Sequence, residues 1–205
     1  MQEYLRELIS RMTTRDDHSL NSDDSVAWHA YREAETLSDS SMVGELAEYV
    51  DKEKNKKRRR AAYFILGKLG QHVRGTNCAS VLLSRLNSEN EKYVLSGLLD
   101  ALSWISKPGG LDLGPVYRLL RDDRWLVRQS AIQCLRRTDT PEAEDKVIEL
   151  LATTTDPQDM IYCHAMLNEI GTTKSLPFLE KSLSFRKRDV EQSARLAIEA
   201  IKSRE

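Results

Sequence analysis

The sequence predicts an all-α fold, a solenoid of about five to six antiparallel helix pairs, and three observations predict it. Small or apolar residues recur at Ala30, Ala62, Leu98, Ala131, Cys163 and Ala194, with gaps of 32, 36, 33, 32 and 31 residues. A period in this range marks supersecondary units that stack because none can bury its apolar face alone. Each anchor is followed four and seven residues later by the same pattern: Ala34/Leu37, Leu66/Leu69, Leu102/Ile105, Leu135/Thr138, Leu167/Ile170 and Ile198/Ile201. These offsets trace one face of a helix. No segment alternates with period two for long enough to argue a strand.

Residues 2 to 12 and 24 to 37 read as helices, separated by the polar stretch Thr13 to Asp24, which reads as a loop. Residues 1–39 are therefore expected to form an irregular N-terminal helical cap, because a terminal repeat must cover an otherwise exposed apolar face. Residues 40–205 are expected to form one continuous repeat domain. In each unit a shorter first helix carries Leu46, Leu82, Val116, Val147 or Leu179, and closes on Val50, Leu86, Leu120, Leu151 or Leu183. The anchors then fall on the second helix, where Val26, Val94, Val127 and Val190 add an apolar position four residues earlier. Arg58 and Asp159 depart from that pattern. Thr140-Pro141-Glu142 and Asp156-Pro157-Gln158-Asp159 read as helix starts, each with a capping side chain before a proline and acids near the positive end of the dipole. Gly70, Gly171 and Lys107-Pro108-Gly109-Gly110 are expected to end second helices through left-handed or irregular residues.

The 31% charged and 40% hydrophobic content is ordinary for a globular chain, and its apolar runs are too short to span a bilayer. Met1 to Leu8 carries acids among its apolar residues and has no basic or uninterrupted apolar region, so it does not read as a signal peptide; the cytoplasm is the expected compartment. Cys78, Cys134 and Cys163 show no metal spacing and are too few for a disulfide framework, so the latter two read as small core residues. Charge is uneven along the chain. Residues 1 to 50 hold 4 basic against 11 acidic residues, a net of −7, and residues 51 to 100 hold 11 basic against 5 acidic, a net of +6.

The stretch Leu120-Arg-Asp-Asp-Arg-Trp-Leu-Val-Arg-Gln-Ser-Ala-Ile-Gln-Cys-Leu135 resembles the core of a HEAT repeat, with a leucine, an acidic turn, Val-Arg, a small residue and a leucine. Ile170 to Leu179 together with Asp189 to Ile201 is similar to the short bacterial form, the phycobilisome-lyase type. The resemblance covers residues 40 to 203, with a start at 24 left open, and implies a right-handed superhelix. It leaves function open, because the family includes scaffolds, inhibitors, enzyme subunits and a DNA glycosylase branch. Val127-Arg128 keeps the repeat's usual pair, but most other units lack that arginine, which argues against an inter-repeat ladder built on it.

In such a solenoid the second helices line the surface on which partners dock. With the core face centred on the anchor, offsets −2, +2, +5 and +6 point the opposite way. They carry five basic and four acidic residues and three large aromatics. Candidate partner-binding residues there are Trp28, Arg60, Phe64, Asp100, Trp104, Gln129, Gln133, Arg136 and Arg137. Aromatics and arginines on an otherwise solvated face are the types that dominate protein-binding hot spots. The plainer reading is that Trp28, Phe64 and Trp104 pack against neighbouring helices.

Lys52 to Arg60 is a basic run in which Lys56, Lys57, Arg58 and Arg59 are candidates for meeting an external anion. The preferred structural reading is a solvated helix start neutralised by the acidic N-terminal region. His18, His29, His72 and His164 are scattered, and no metal, nucleotide or hydrolase motif is present, so no cofactor is expected and the chain leans away from enzyme function. Asp100 and Trp104, with Arg136 and Arg137 on the next unit, resemble in residue type the groove of the HEAT-like glycosylases. That likeness keeps nucleic-acid binding as the alternative to a protein-interaction module, scaffold or regulatory subunit.

Overall fold

A computed structural model describes residues 2–15, 24–73 and 77–204; most of the polar stretch read as a loop before Asp24 lies outside them, as does His18. The described residues form twelve α-helices, one 3₁₀ turn at Thr173–Ser175 and one isolated β-bridge between Lys107 and Thr138. The helices separate into two compact units, Met1–Ile105 and Ser106–Glu205.

The first unit holds three helix pairs: α1 Glu3–Met12 with α2 Val26–Glu35, α3 Met42–Lys52 with α4 Lys56–His72, and α5 Cys78–Arg85 with α6 Lys92–Ser103. The segment expected as an N-terminal cap thus contributes a pair of its own. Leu5, Leu8, Ile9 and Met12 close its core, and both α1 and α2 pack on α4. Helix α4 is central because its buried arc is unusually wide, running through Ala61, Ala62, Tyr63, Ile65, Leu66, Gly67 and Leu69. It touches α1, α2, α3, α5 and α6. Asn55 starts it by accepting bonds from the amides of Lys57 and Arg58, and Glu91 starts α6 in the same way through Tyr93 and Val94.

The second unit repeats the arrangement with α7 Gly114–Leu119 and α8 Trp125–Cys134, α9 Pro141–Thr153 and α10 Pro157–Ile170, and α11 Leu176–Ser182 and α12 Arg188–Lys202. Here α10 packs on α8, α9 and α12. All six repeat anchors are fully buried, and so are Leu46, Leu82, Val116, Val147 and Leu179 of the first helices. Cys78, Cys134 and Cys163 are buried free thiols. At the position four before the anchor, Val94, Val127 and Val190 are buried, whereas Val26 is 43% exposed. Val26 is the first residue of α2, so the turn that its side chain would cover is Ser25 and not a further turn of helix.

Several local expectations are corrected. Gly70 does not end its helix, since α4 continues to His72. A Cβ at Gly70 would lie 2.6 Å from Ile105 Cδ1 and 2.9 Å from Cys78 Cβ, so the glycine serves a close helix contact. Gly171 does end α10, as the irregular residue expected there, with extended dihedrals φ −70° and ψ 148°. The left-handed residues are Gly110, φ 97°, and Arg137, φ 55°. Asp156 caps α10 through the Gln158 amide at 2.8 Å. Thr140 makes no side-chain cap; its carbonyl accepts the Ala143 amide instead, as in a tight first turn.

Candidate functional site

In the first unit the second helices bring an aromatic row to the surface. Tyr31 of α2 meets Phe64 of α4 edge to face at 4.9 Å between centroids, and Phe64 meets Trp104, the residue capping the end of α6, in the same geometry at 5.3 Å. All three rings are half-buried. Such contacts orient the rings and contribute about 0.5–1.5 kcal/mol each beyond burial. The ammonium of Lys68 lies 4.0 Å from the Trp104 centroid and 5.5 Å from that of Phe64, a cation held against ring faces. Trp28 stands outside the row, 39% exposed, with the Arg32 guanidinium 5.7 Å from its centroid and His29 against its edge.

Arg60 is exposed and crosses to α6, where a Cβ on Gly97 would sit 3.1 Å from its Cγ and Nε. Gly97 therefore leaves the channel in which the guanidinium lies. Arg60 also favours the ionised form of Tyr31, but burial outweighs it and raises the phenol above its ordinary pKa. Asp100 is half-buried in this unit, and its carbonyl accepts the Ser103 hydroxyl at 2.6 Å.

In the basic run, Lys56 faces Glu91 at 3.5 Å, Arg58 faces Glu53 at 3.9 Å, and Arg59 forks onto Glu89 at 2.9 and 3.1 Å. These carboxylates belong to residues 53 to 91; among the described residues the acidic first fifty supply none of them. Lys57 is exposed, with no carboxylate in ion-pair range among the described residues.

The Arg59 contact is structural and was not foreseen. Its Nη1 also donates to the carbonyls of Glu53 and Lys54 at 3.2 and 2.8 Å, tying its own pair's turn to the Glu89 carboxylate, whose side chain is only 5% exposed, ahead of α6. The second unit repeats the device. Arg128 donates through Nε to Asp159, through Nη2 to Asp156 and through Nη1 to the Asp122 carbonyl at 2.8 Å. Arg59 and Arg128 both stand three residues before their anchors. Each unit therefore has one such arginine tie between successive pairs, at an offset that the other second helices do not fill with arginine. The legible signal was that shared offset.

The other candidate residues fall in the second unit. Gln129 is buried, its amide donating to Asp159 at 3.4 Å; the face opposite the anchor is covered there because α8 packs on α10 as well as on α7. Gln133 and Arg136 are exposed, and Arg136 donates from Nε to Glu169 at 2.7 Å. Arg137 is exposed and its carbonyl accepts the Lys107 amide at 2.8 Å. A cleft of about 510 Å³ beside it is lined by Thr138, Asp139, Thr140, Glu144 and Thr172 among others. Buried Glu144 accepts bonds there from the Thr172 amide at 2.8 Å and from the Thr172 and Ser175 hydroxyls, and so anchors the turn ahead of α11.

The histidines serve separate local contacts. His72 meets the Leu37 carbonyl at 2.9 Å, and buried His164 lies between Ser193 and Ser182 at 2.8 and 3.1 Å. Among the described residues no group of three or more His, Cys, Asp or Glu is placed to hold a metal. No helix among them is long and apolar enough to cross a membrane.

Comparison with known proteins places this geometry. Residues 115–202 match the family model for HEAT repeats. Across the whole chain, the structure is similar to a designed armadillo repeat protein at a TM-score of 0.56 and 14% identity, covering 96% of this chain and 99% of that one. No curated protein matches the sequence. The chain has an all-helical, armadillo-like solenoid fold, and its residues 115–202 carry HEAT repeats. The match is to HEAT repeats in general.

Proposed function

We propose that this chain is a protein-interaction module, a scaffold or regulatory subunit acting in the cytoplasm, which docks a protein partner on the second-helix surface of its first unit. The observation that carries the reading is the row Tyr31–Phe64–Trp104, one ring at each of three successive second helices, flanked by Arg60 and Lys68. Rigid, half-exposed aromatics beside cations concentrate binding energy at little cost in side-chain entropy. Repeat folds supply such surfaces without needing a catalytic centre. The Arg59 tie and the wide α4 core hold the helices that carry the rings, so the surface is organised before a partner arrives.

The test is affinity capture from native extract with wild type and with Trp104→Ala/Arg60→Ala, with and without nuclease. A protein partner retained by the wild type, lost by the variant and unaffected by nuclease is the expected result, with circular dichroism showing unchanged helicity. Retention that disappears with nuclease contradicts the proposal and points to nucleic acid.

A further inference from the structure

We infer that the α4 face of the first unit takes an acidic, extended segment of a partner protein, one carrying an apolar residue between its carboxylates. The inference rests on the interaction-module reading and names the chemistry of the partner. Helix α4 carries six cations, Lys56, Lys57, Arg58, Arg59, Arg60 and Lys68, and they are sorted by face. Lys56, Arg58 and Arg59 are neutralised by Glu91, Glu53 and Glu89. Lys57, Arg60 and Lys68 are not: among the described residues none of them has a carboxylate in ion-pair range, and Lys68 meets ring faces and the Gln71 amide oxygen instead.

These three fall at helical spacing with Phe64 between them, forming one stripe about 16 Å long at 1.5 Å per residue. The same stripe is bordered by Trp104 and by the Gly97 channel that holds Arg60. Unneutralised cations in the first turns of a helix also oppose its dipole, a cost that an incoming anion removes.

Charge density selects the kind of anion. Duplex DNA carries a negative charge for about every 1.7 Å of axis, roughly ten over this length, against three cations here that no carboxylate among the described residues neutralises. Three carboxylates on a peptide match that number. At about 3.3 Å per residue an extended segment crosses the stripe in about five residues. It would place two acids near Lys57 and Arg60, an apolar side chain against Phe64 and Trp104, and a third acid at Lys68. The aromatic row adds apolar contact, which simple counterions cannot exploit.

The experiment is selection of random twelve-residue peptides displayed on phage against three forms of the full chain. These are the wild type, Lys57→Glu/Arg60→Glu, and Arg121→Glu/Lys187→Glu, which makes the same charge change in the second unit. The first double variant puts acids where the α4 dipole favours them, so its fold is not at risk. Peptides rich in Asp and Glu with an interspersed apolar residue are expected to be enriched on the wild type and on the second-unit control. They should bind the α4 variant at least about tenfold more weakly, and more weakly still as salt rises. Enrichment of neutral or basic peptides whose binding is lost in Trp104→Ala overturns the acidic assignment and leaves the interaction reading standing. No enrichment on any form contradicts both. Tighter binding of a twelve-nucleotide single-stranded DNA than of the selected peptides overturns the assignment in favour of nucleic acid.

Discussion

Replacing Arg128 by alanine is expected to destabilise the protein by about 3–5 kcal/mol, because it strands a buried carboxylate. The Asp159 side chain is only 3% exposed. It occupies the position four before the anchor, where other units carry Val94, Val127 and Val190. Without Arg128 it keeps only the long contacts from the Gln129 amide at 3.4 Å and the Thr154 hydroxyl at 3.5 Å. Asp159→Ala should cost less, since Arg128 is more accessible and retains the Asp122 carbonyl and Asp156. The double variant Arg128→Met/Asp159→Val removes both charges and restores the apolar residue found in other units. It is expected to recover at least half of the Arg128→Ala loss, by the usual result that apolar replacement of both members of a buried pair is tolerated. Urea titration of the three variants checks this order. Single-variant losses below about 0.5 kcal/mol would show that the tie between pairs contributes nothing measurable.

Acidification below neutrality is expected to weaken the second unit through His164. Its ring is fully buried, and burial pushes its pKa down from 6.5 to about 4. Ser193 Oγ already donates to the Val190 carbonyl at 2.9 Å, so it accepts from His164 Nδ1–H, and Nε2 accepts from the Ser182 hydroxyl. Both hydroxyl contacts are satisfied by the neutral ring. Between pH 6.5 and 4 the unfolded chain takes up a proton that the folded chain refuses, so stability is fully present above pH 6.5 and is lost as pH falls towards 4. The full shift corresponds to about 3 kcal/mol. Denaturation of the wild type and His164→Gln across this range checks the sign: the wild type should lose stability in that window and the variant should lose correspondingly less. Equal slopes would remove His164 as the cause.

The helical architecture was legible because it depends on a short-range period. Ala62, Leu98 and Ala131 repeat on one face whatever their neighbours do, and all are fully buried. The surface was less legible, because burial on a second helix depends on what lies beside it. Gln129, Ser96 and Gly67 sit at offsets expected to face outward and are buried. Helices α4, α6 and α8 are flanked by neighbouring helices within their units, so their covered arc exceeds one stripe. Tyr31 was missed for the same reason, as it lies one residue past its anchor yet reaches Phe64. The ties of Arg59 and Arg128 span 30 and 31 residues, and only packing of successive pairs brings those groups together. Phe64 and Trp104 show how two readings of one residue can both hold. Each packs against a neighbour, and each remains half-exposed at the surface.

The most direct test of the binding surface is amide hydrogen exchange of the chain, free and saturated with a captured partner. Slowed exchange concentrated in α2, α4 and α6 of the first unit is the predicted result. Protection confined to α1, α3 and α5, or absent from the first unit, would contradict the assignment of the second-helix surface.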